Sequence, residues 1–98
     1  MKKSDLFKLS RIMDKIGIRD IKGETDREFG LSMITTVISN IWKAEDEVDT
    51  FLASYLEKTK TEIKEMDGND YLNSIEGALK DKDLVSFLKR VLPTQKQS

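Results

Sequence analysis

The sequence predicts an all-α protein, a small bundle of about five or six helices with no sheet. Three observations support this fold class. Apolar residues recur at spacings of three and four along most of the chain, and no stretch alternates strictly between apolar and polar residues. Residues typical of helix starts and stops separate these periodic segments. Charged residues make up 36% of the chain and hydrophobic residues 38%, which suits a small helical domain.

The first helix is expected over about residues 5–16, where one face is apolar. Ser4 is the candidate N-cap of this helix, and Gly17 is the candidate stop. The residues that form its apolar face are Leu6, Leu9, Met13 and Ile16.

The central helix is expected to begin at a capping box formed by Thr25 and Glu28. The apolar stripe that follows is the strongest periodic signal in the chain. A bend near Lys43–Glu45 is favoured over one continuous helix of about 30 residues, because helices of that length are unusual in small domains. The stripe consists of Phe29, Met33, Ile34, Val37, Ile38, Ile41 and Trp42.

The stretch "KTKTEIKEMDGNDY", residues 58–71, contains two helix starts placed close together. Thr59 and Glu62 match a capping box that would begin a short helix. Asp67-Gly68 would end that helix, and Asn69 would cap the next one. We therefore expect a structural joint here, although the acidic side chains leave a catalytic or calcium-binding loop as an alternative.

The last two helices are expected on either side of the charged joint "KDKD", residues 80–83. Pro93 would end the final helix, since proline cannot continue one. One domain should therefore span residues 1–93, with a flexible tail at 94–98.

The chain contains no cysteine and no histidine. Disulfides, thiolate chemistry, Cys/His zinc sites and imidazole catalysis are thereby excluded. The carboxylates occur in strings such as "AEDEVD" and "EMDGND", which are typical of solvated helix faces and caps. We therefore expect no enzyme activity, no catalytic residues, no metal site and no cofactor.

Charge is distributed unevenly along the chain, whose net charge is −1. Residues 1–22 carry a net charge of +4, residues 23–70 carry −7, and residues 71–98 carry +2. The basic segment at residues 1–22 could contact nucleic acid, but no aromatic or glycine-rich nucleic-acid motif accompanies it. We therefore favour a contact between this segment and the acidic residues 23–70, either within one chain or between neighbouring copies. No signal peptide and no apolar run of about 18 residues is present, which favours an intracellular, soluble protein without membrane contact.

The aromatic residues around the expected bend are candidates for a partner surface. Trp42 with its apolar neighbours exceeds what a small bundle needs for its core, and an exposed remainder would bind a partner. The alternative is that these side chains are simply core. The candidate partner-binding residues are Ile38, Ile41, Trp42, Val48, Phe51 and Tyr55.

From Phe51 to Val91 the sequence resembles the tail assembly chaperones of long-tailed phages and prophages of Gram-positive bacteria. In that family an acidic helix ends in a "FLA-L" element, followed by a "KT-EEI-EMD" turn and helix, a "-EYI--I" helix, a charged joint and an "L-SFF" helix. The matching pieces here are Phe51-Leu52-Ala53, Lys60 to Asp67, Tyr71 with Ile75, and Leu84 to Leu88.

The resemblance implies a non-enzymatic chaperone that binds the long helical tape measure protein and keeps it soluble while the tail tube assembles. It also implies a homo-oligomer in the cytoplasm of the bacterial host, absent from the mature virion, with the tail tube protein as a second candidate partner. Two other functions remain open on the residues alone: a small helical bacteriocin-immunity-type protein and a nucleic-acid-binding regulator.

Overall fold

Six α-helices dominate the part of the chain that the computed structural model describes, which is residues 2–18, 21–22, 24–91 and 94–95. The all-α prediction is confirmed. A 3-10 turn at Ile41–Ala44 lies between the second and third helices. The helices are α1 (Lys3–Ile16), α2 (Asp26–Ser39), α3 (Glu45–Tyr55), α4 (Lys60–Lys64), α5 (Gly68–Leu79) and α6 (Lys82–Val91).

A parallel pairing of two residues per strand departs from the all-helical pattern. Strand β1 (Ile21–Lys22) pairs with β2 (Thr94–Gln95), with Ile21 opposite Thr94. The sequence shows no strand pattern, and a pairing this short leaves the fold class unchanged. The first two residues of the predicted tail are thus paired, while residues 96–98 and the predicted stop at Pro93 lie outside the described residues.

The core lies around α3, which packs chiefly against α1 and also against α4 and α5. Phe29 and Met33 from α2 and Leu84 and Leu88 from α6 are fully buried in the same cluster. The molecule is elongated, with extents of 46 × 25 × 21 Å. Burial of these apolar side chains is the main favourable term for the fold.

The start of α1 differs from the prediction. The helix begins at Lys3, and the N-cap is Lys2 rather than Ser4. The Asp5 carboxylate accepts a hydrogen bond from the Lys2 backbone N–H at 3.2 Å, and this contact replaces the hydroxyl cap expected from Ser4. Gly17 ends the helix as predicted, with a φ of +82° that a glycine adopts without strain.

The predicted bend in the central segment is present, but it begins a few residues earlier than Lys43–Glu45. Helix α2 ends at Ser39, and Asn40 adopts a non-helical φ/ψ of −119°/12°. The Asn40 side-chain amide donates to the Thr36 carbonyl at 2.8 Å. A side chain that bonds the backbone of the preceding turn competes with helix continuation, which explains a break without glycine or proline.

Residues 58–71 form the joint that the sequence predicts. Thr59 accepts from the Glu62 N–H at 3.1 Å, and Glu62 accepts from the Thr59 N–H at 2.9 Å, so the capping box is confirmed. The cap of α5 is Asp67 rather than Asn69, because the Asp67 carboxylate accepts the Asn69 N–H at 3.1 Å. The prediction for Asn69 was therefore wrong by two residues.

Besides the exposed bond from Lys60 of α4 to Asp46, three partly buried side-chain hydrogen bonds connect α3 to the elements around it. Ser54 donates to the buried Asp5 of α1 at 2.5 Å. Tyr55 donates to Asp81, in the joint between α5 and α6, at 2.8 Å. The third bond runs from α5 to α3, where the Tyr71 hydroxyl donates to Asp49 at 2.7 Å.

Candidate functional site

The six residues predicted to bind a partner fall into three groups. Trp42 exposes 74% of its surface, the largest fraction among the large apolar side chains described. Val48 and Phe51 are each only 3% exposed and belong to the core, so neither offers surface to a partner in this conformation. The other three are partly buried and pack against the core: Ile38, Ile41 and Tyr55.

Trp42 lies instead at a groove that the prediction did not describe. This groove, called the Trp42 groove below, has a volume of about 520 Å³ and is open to solvent. One wall comes from the 3-10 turn and the start of α3, and the other from α4, α5 and the residues between them. Its lining residues are Ile41, Trp42, Glu45, Asp49, Ile63, Lys64, Met66, Gly68 and Tyr71.

The break at Asn40 sets the position of Trp42. In a continuous helix Trp42 would follow Ile38 by four residues and share its buried face. The 3-10 turn changes the rotation per residue, so Trp42 leaves that face. The Lys43 ammonium lies 5.5 Å from the centre of the indole ring, a cation–π arrangement on a surface side chain.

The opposite wall depends on the two helix caps in residues 58–71. The Thr59–Glu62 box begins α4, which is only five residues long, and places Ile63 almost fully inside, at 1% exposure. The hydrogen bond from the Thr59 backbone N–H lowers the pKa of the Glu62 carboxyl, since it favours the ionised form. A short helix of this kind is marginal on its own, so the cap and Ile63 hold the wall in place.

Replacing Thr59 by alanine is expected to lower the free energy of unfolding by about 1 kcal/mol, the usual cost of a lost N-cap. The measurement is urea denaturation followed by circular dichroism. Thr61→Ala is the matched control, because Thr61 is exposed in the same helix and does not cap it. Equal stability of the two variants would show that the capping box does not support this joint.

Asp49 and Tyr71 form a polar pair at the base of the Trp42 groove. The Asp49 side chain is 3% exposed, and its carboxylate accepts the hydroxyl of Tyr71. Burial of the phenol raises the pKa of Tyr71 well above its ordinary value, and the hydrogen bond to Asp49 and the charge of Glu45 add to this. Glu45, which also lines the groove, therefore lies close enough to Tyr71 to add a second negative charge near it.

An exposed ion pair joins the two walls beside the groove. The Lys60 ammonium of α4 lies 2.5 Å from the Asp46 carboxylate of α3. This hydrogen bond lowers the pKa of Asp46 and raises the pKa of Lys60. The pair is solvated, so it orients α4 more than it stabilises the fold.

Within the described ranges 2–18, 21–22, 24–91 and 94–95, no group of three or more acidic, histidine or cysteine side chains is arranged to hold a metal ion. No described helix is long and apolar enough to cross a bilayer. The Trp42 groove is thus the surface feature on which a functional argument can be built.

No protein-family model, curated protein or solved structure matched the chain.

The second wall of the groove contains residues that the sequence prediction assigned only to helices. Met66 and Tyr71 flank Asp67-Gly68, and both are partly buried rather than fully covered. The sequence does contain an indication of this arrangement. Met66 and Tyr71 are two large apolar side chains beside a helix break, and a helix as short as α4 cannot bury both of them. The sequence alone does not say that these residues face Trp42.

Proposed function

We propose that the chain is a tail assembly chaperone of the long-tailed phage type, a non-enzymatic protein that binds the tape measure protein and keeps it soluble. The observation that supports this proposal is the largely exposed Trp42 at the edge of an open, mainly apolar groove between helices. Amphipathic helices bind in grooves of this kind through apolar side chains at spacings of three and four. A long helical protein offers many such stripes.

The sequence resemblance from Phe51 to Val91 supports the tape measure protein as the partner, and the open groove supports the binding of a helical segment. Trp42 is suited to the role because tryptophan is enriched among the residues that dominate binding energies at interfaces. Action in the host cytoplasm, absence from the mature virion, self-association and contact with the tail tube protein are parts of the same proposal. The acidic groove weighs against nucleic acid as the ligand there, since phosphates would be repelled.

Trp42→Ala is expected to reduce several-fold the amount of tape measure protein that stays soluble on co-expression, since such anchors carry most of the binding energy. The readout is the soluble fraction of the tape measure protein of the same phage. Phe7→Ala is the matched control, because Phe7 is also aromatic and 59% exposed but lies on α1 and does not line the groove. Circular dichroism should show both variants folded.

Two results would count against this proposal. If the wild-type chain leaves the tape measure protein insoluble, the chaperone function is wrong, and a bacteriocin gene next to this one would then favour the immunity-type alternative. If Trp42→Ala and Phe7→Ala both retain full solubilisation, the partner is bound elsewhere on the chain.

A further inference from the structure

The walls of the Trp42 groove come from the most acidic part of the chain. Residues 41–71 carry nine acidic and four basic side chains, a net charge of −5. One of the four cations, Lys60, is already held by Asp46, and another, Lys43, lies over the Trp42 ring. The charged residues that line the groove itself are Glu45, Asp49 and Lys64, which leaves its lining with a net charge of −1. Together with the acidic segment around it, this charge favours cationic partners over anionic ones.

Two carboxylates lie in the groove itself. Asp49 is almost completely buried and receives one neutral donor, the Tyr71 hydroxyl. Glu45 is exposed and its charge also acts on Tyr71, so both carboxylates lie near this tyrosine. A carboxylate can accept several hydrogen bonds, and a cationic donor provides stronger ones than a phenol does.

Apolar side chains make up much of the rest of the groove lining. Ile41 and Met66 are partly buried, while Trp42 is mostly exposed and already has one ammonium over its ring. An indole face favours lysine or arginine as well as aliphatic side chains. The groove thus combines an apolar contact area with two carboxylates that can bind a positively charged side chain.

We infer that the Trp42 groove binds a basic amphipathic helix, with aliphatic side chains against Trp42, Ile41 and Met66 and a lysine or arginine beside Glu45 and Asp49. This inference rests on the proposed function only for the identity of the natural partner, and it specifies the kind of segment that is bound. The volume of about 520 Å³ accommodates a few side chains from one face of a helix, not a folded domain.

Fluorescence provides a direct test, because Trp42 is the only tryptophan in the chain. The probes are tryptophan-free synthetic helices of about 18 residues, or five turns. The first has a leucine stripe flanked by lysine and arginine, the second has glutamate in place of those cations, and the third is a scrambled form of the first. The basic amphipathic peptide should shift the emission of Trp42 to the blue on binding. The acidic and scrambled peptides should bind at least about tenfold more weakly.

A charge-reversal variant at the groove provides a second test of the inference. Glu45→Lys should weaken binding of the basic peptide about tenfold and strengthen binding of the acidic peptide, because it places like charges together. Glu28→Lys is the matched control, since Glu28 is also an exposed glutamate in the first turn of a helix but does not line the groove. Circular dichroism should first show that both variants are folded.

The inference is overturned if the basic amphipathic peptide leaves the Trp42 emission unchanged up to about millimolar concentration, the weak end of specific binding. Equal affinity for the acidic or scrambled peptide would overturn it too, as would equal effects of Glu45→Lys and Glu28→Lys. A chain that solubilises the tape measure protein but fails these peptide tests retains the proposed function and loses only this inference. A chain that passes them without solubilising that protein loses the chaperone function instead.

Discussion

Replacing Phe51 by aspartate is expected to unfold the protein. Phe51 is 3% exposed, and its ring stacks on Tyr55 with centroids 5.6 Å apart. Truncation of a buried phenylalanine alone costs about 3–5 kcal/mol. Burial of a carboxylate without a partner adds a further penalty. Together these costs approach the total stability of a typical small domain, about 5–15 kcal/mol.

The matched control for this substitution is Trp42→Asp, which places the same charge on an aromatic position that is 74% exposed. That variant should remain folded, with a change in unfolding free energy within about 0.5 kcal/mol, as is usual for surface positions. Thermal unfolding followed by circular dichroism distinguishes the two variants. If Phe51→Asp were folded and as stable as Trp42→Asp, the α3 face that holds Phe51 could not be the core.

Tyr71→Phe is expected to lower the free energy of unfolding by about 1–3 kcal/mol at neutral pH. The substitution removes the hydroxyl that donates a hydrogen bond to the buried Asp49 carboxylate. Tyr55→Phe is the control and should cost less. Its acceptor, Asp81, is more exposed and also accepts the Asp83 backbone N–H at 2.8 Å. Urea denaturation of the two variants should show this order, and the reverse order would mean that Asp49 is satisfied without Tyr71.

The same tyrosines predict how stability depends on pH. Burial and the hydrogen bond to Asp81 raise the pKa of Tyr55 to about 12, and the pKa of Tyr71 is raised further. Because both folded-state values lie above the unfolded value of 10.0, their stabilising contribution is complete below that pH and declines as the pH rises through the folded-state values. The wild type should lose more stability between about pH 10 and 12 than the Tyr55→Phe/Tyr71→Phe double variant does, as urea denaturation at a series of pH values would show.

Much of the fold is predictable from the sequence because its signals are local. The Thr59–Glu62 capping box involves residues three apart, and the stop at Gly17 needs only a residue that tolerates positive φ. Helical periodicity likewise depends on neighbours within two turns. Features of this kind are present in a short stretch of sequence and do not depend on the rest of the fold.

Other features depend on contacts between residues far apart in the sequence. The Asp5 side chain rather than Ser4 accepts the backbone hydrogen bond at the start of α1. The Asp5 carboxylate is buried, and it also accepts a hydrogen bond from Ser54, which lies 49 residues later. The break at Asn40 is a different case, because the bond from its side chain to the Thr36 carbonyl spans only four residues. Many asparagines in helices do not make this contact, so the presence of Asn40 alone does not place the break. Neither choice can be made from composition or spacing.

The candidate site shows the same limit. The sequence predicts a candidate apolar surface near the bend that groups Trp42 with Phe51, and it leaves burial of both in the core as the alternative. In the structure Trp42 is largely exposed and Phe51 is buried. Periodicity says which residues share a face but not which face the rest of the chain covers. Met66 and Tyr71 lie across the groove from Trp42 because of how α4 and α5 pack, and that packing is long-range.

The contrast between α3 and α4 has a mechanical consequence for the groove. Helix α3 is anchored to its surroundings at three points, through Ser54, Tyr55 and Asp49. Helix α4 is one turn long and rests on a cap, one inserted isoleucine and a solvated ion pair. Helix α4 thus makes fewer side-chain hydrogen bonds to other elements than α3 does, and we expect it to move at a lower free-energy cost. Under the proposed function, the wall that contains α4 would then adjust to helical segments whose successive turns are not identical.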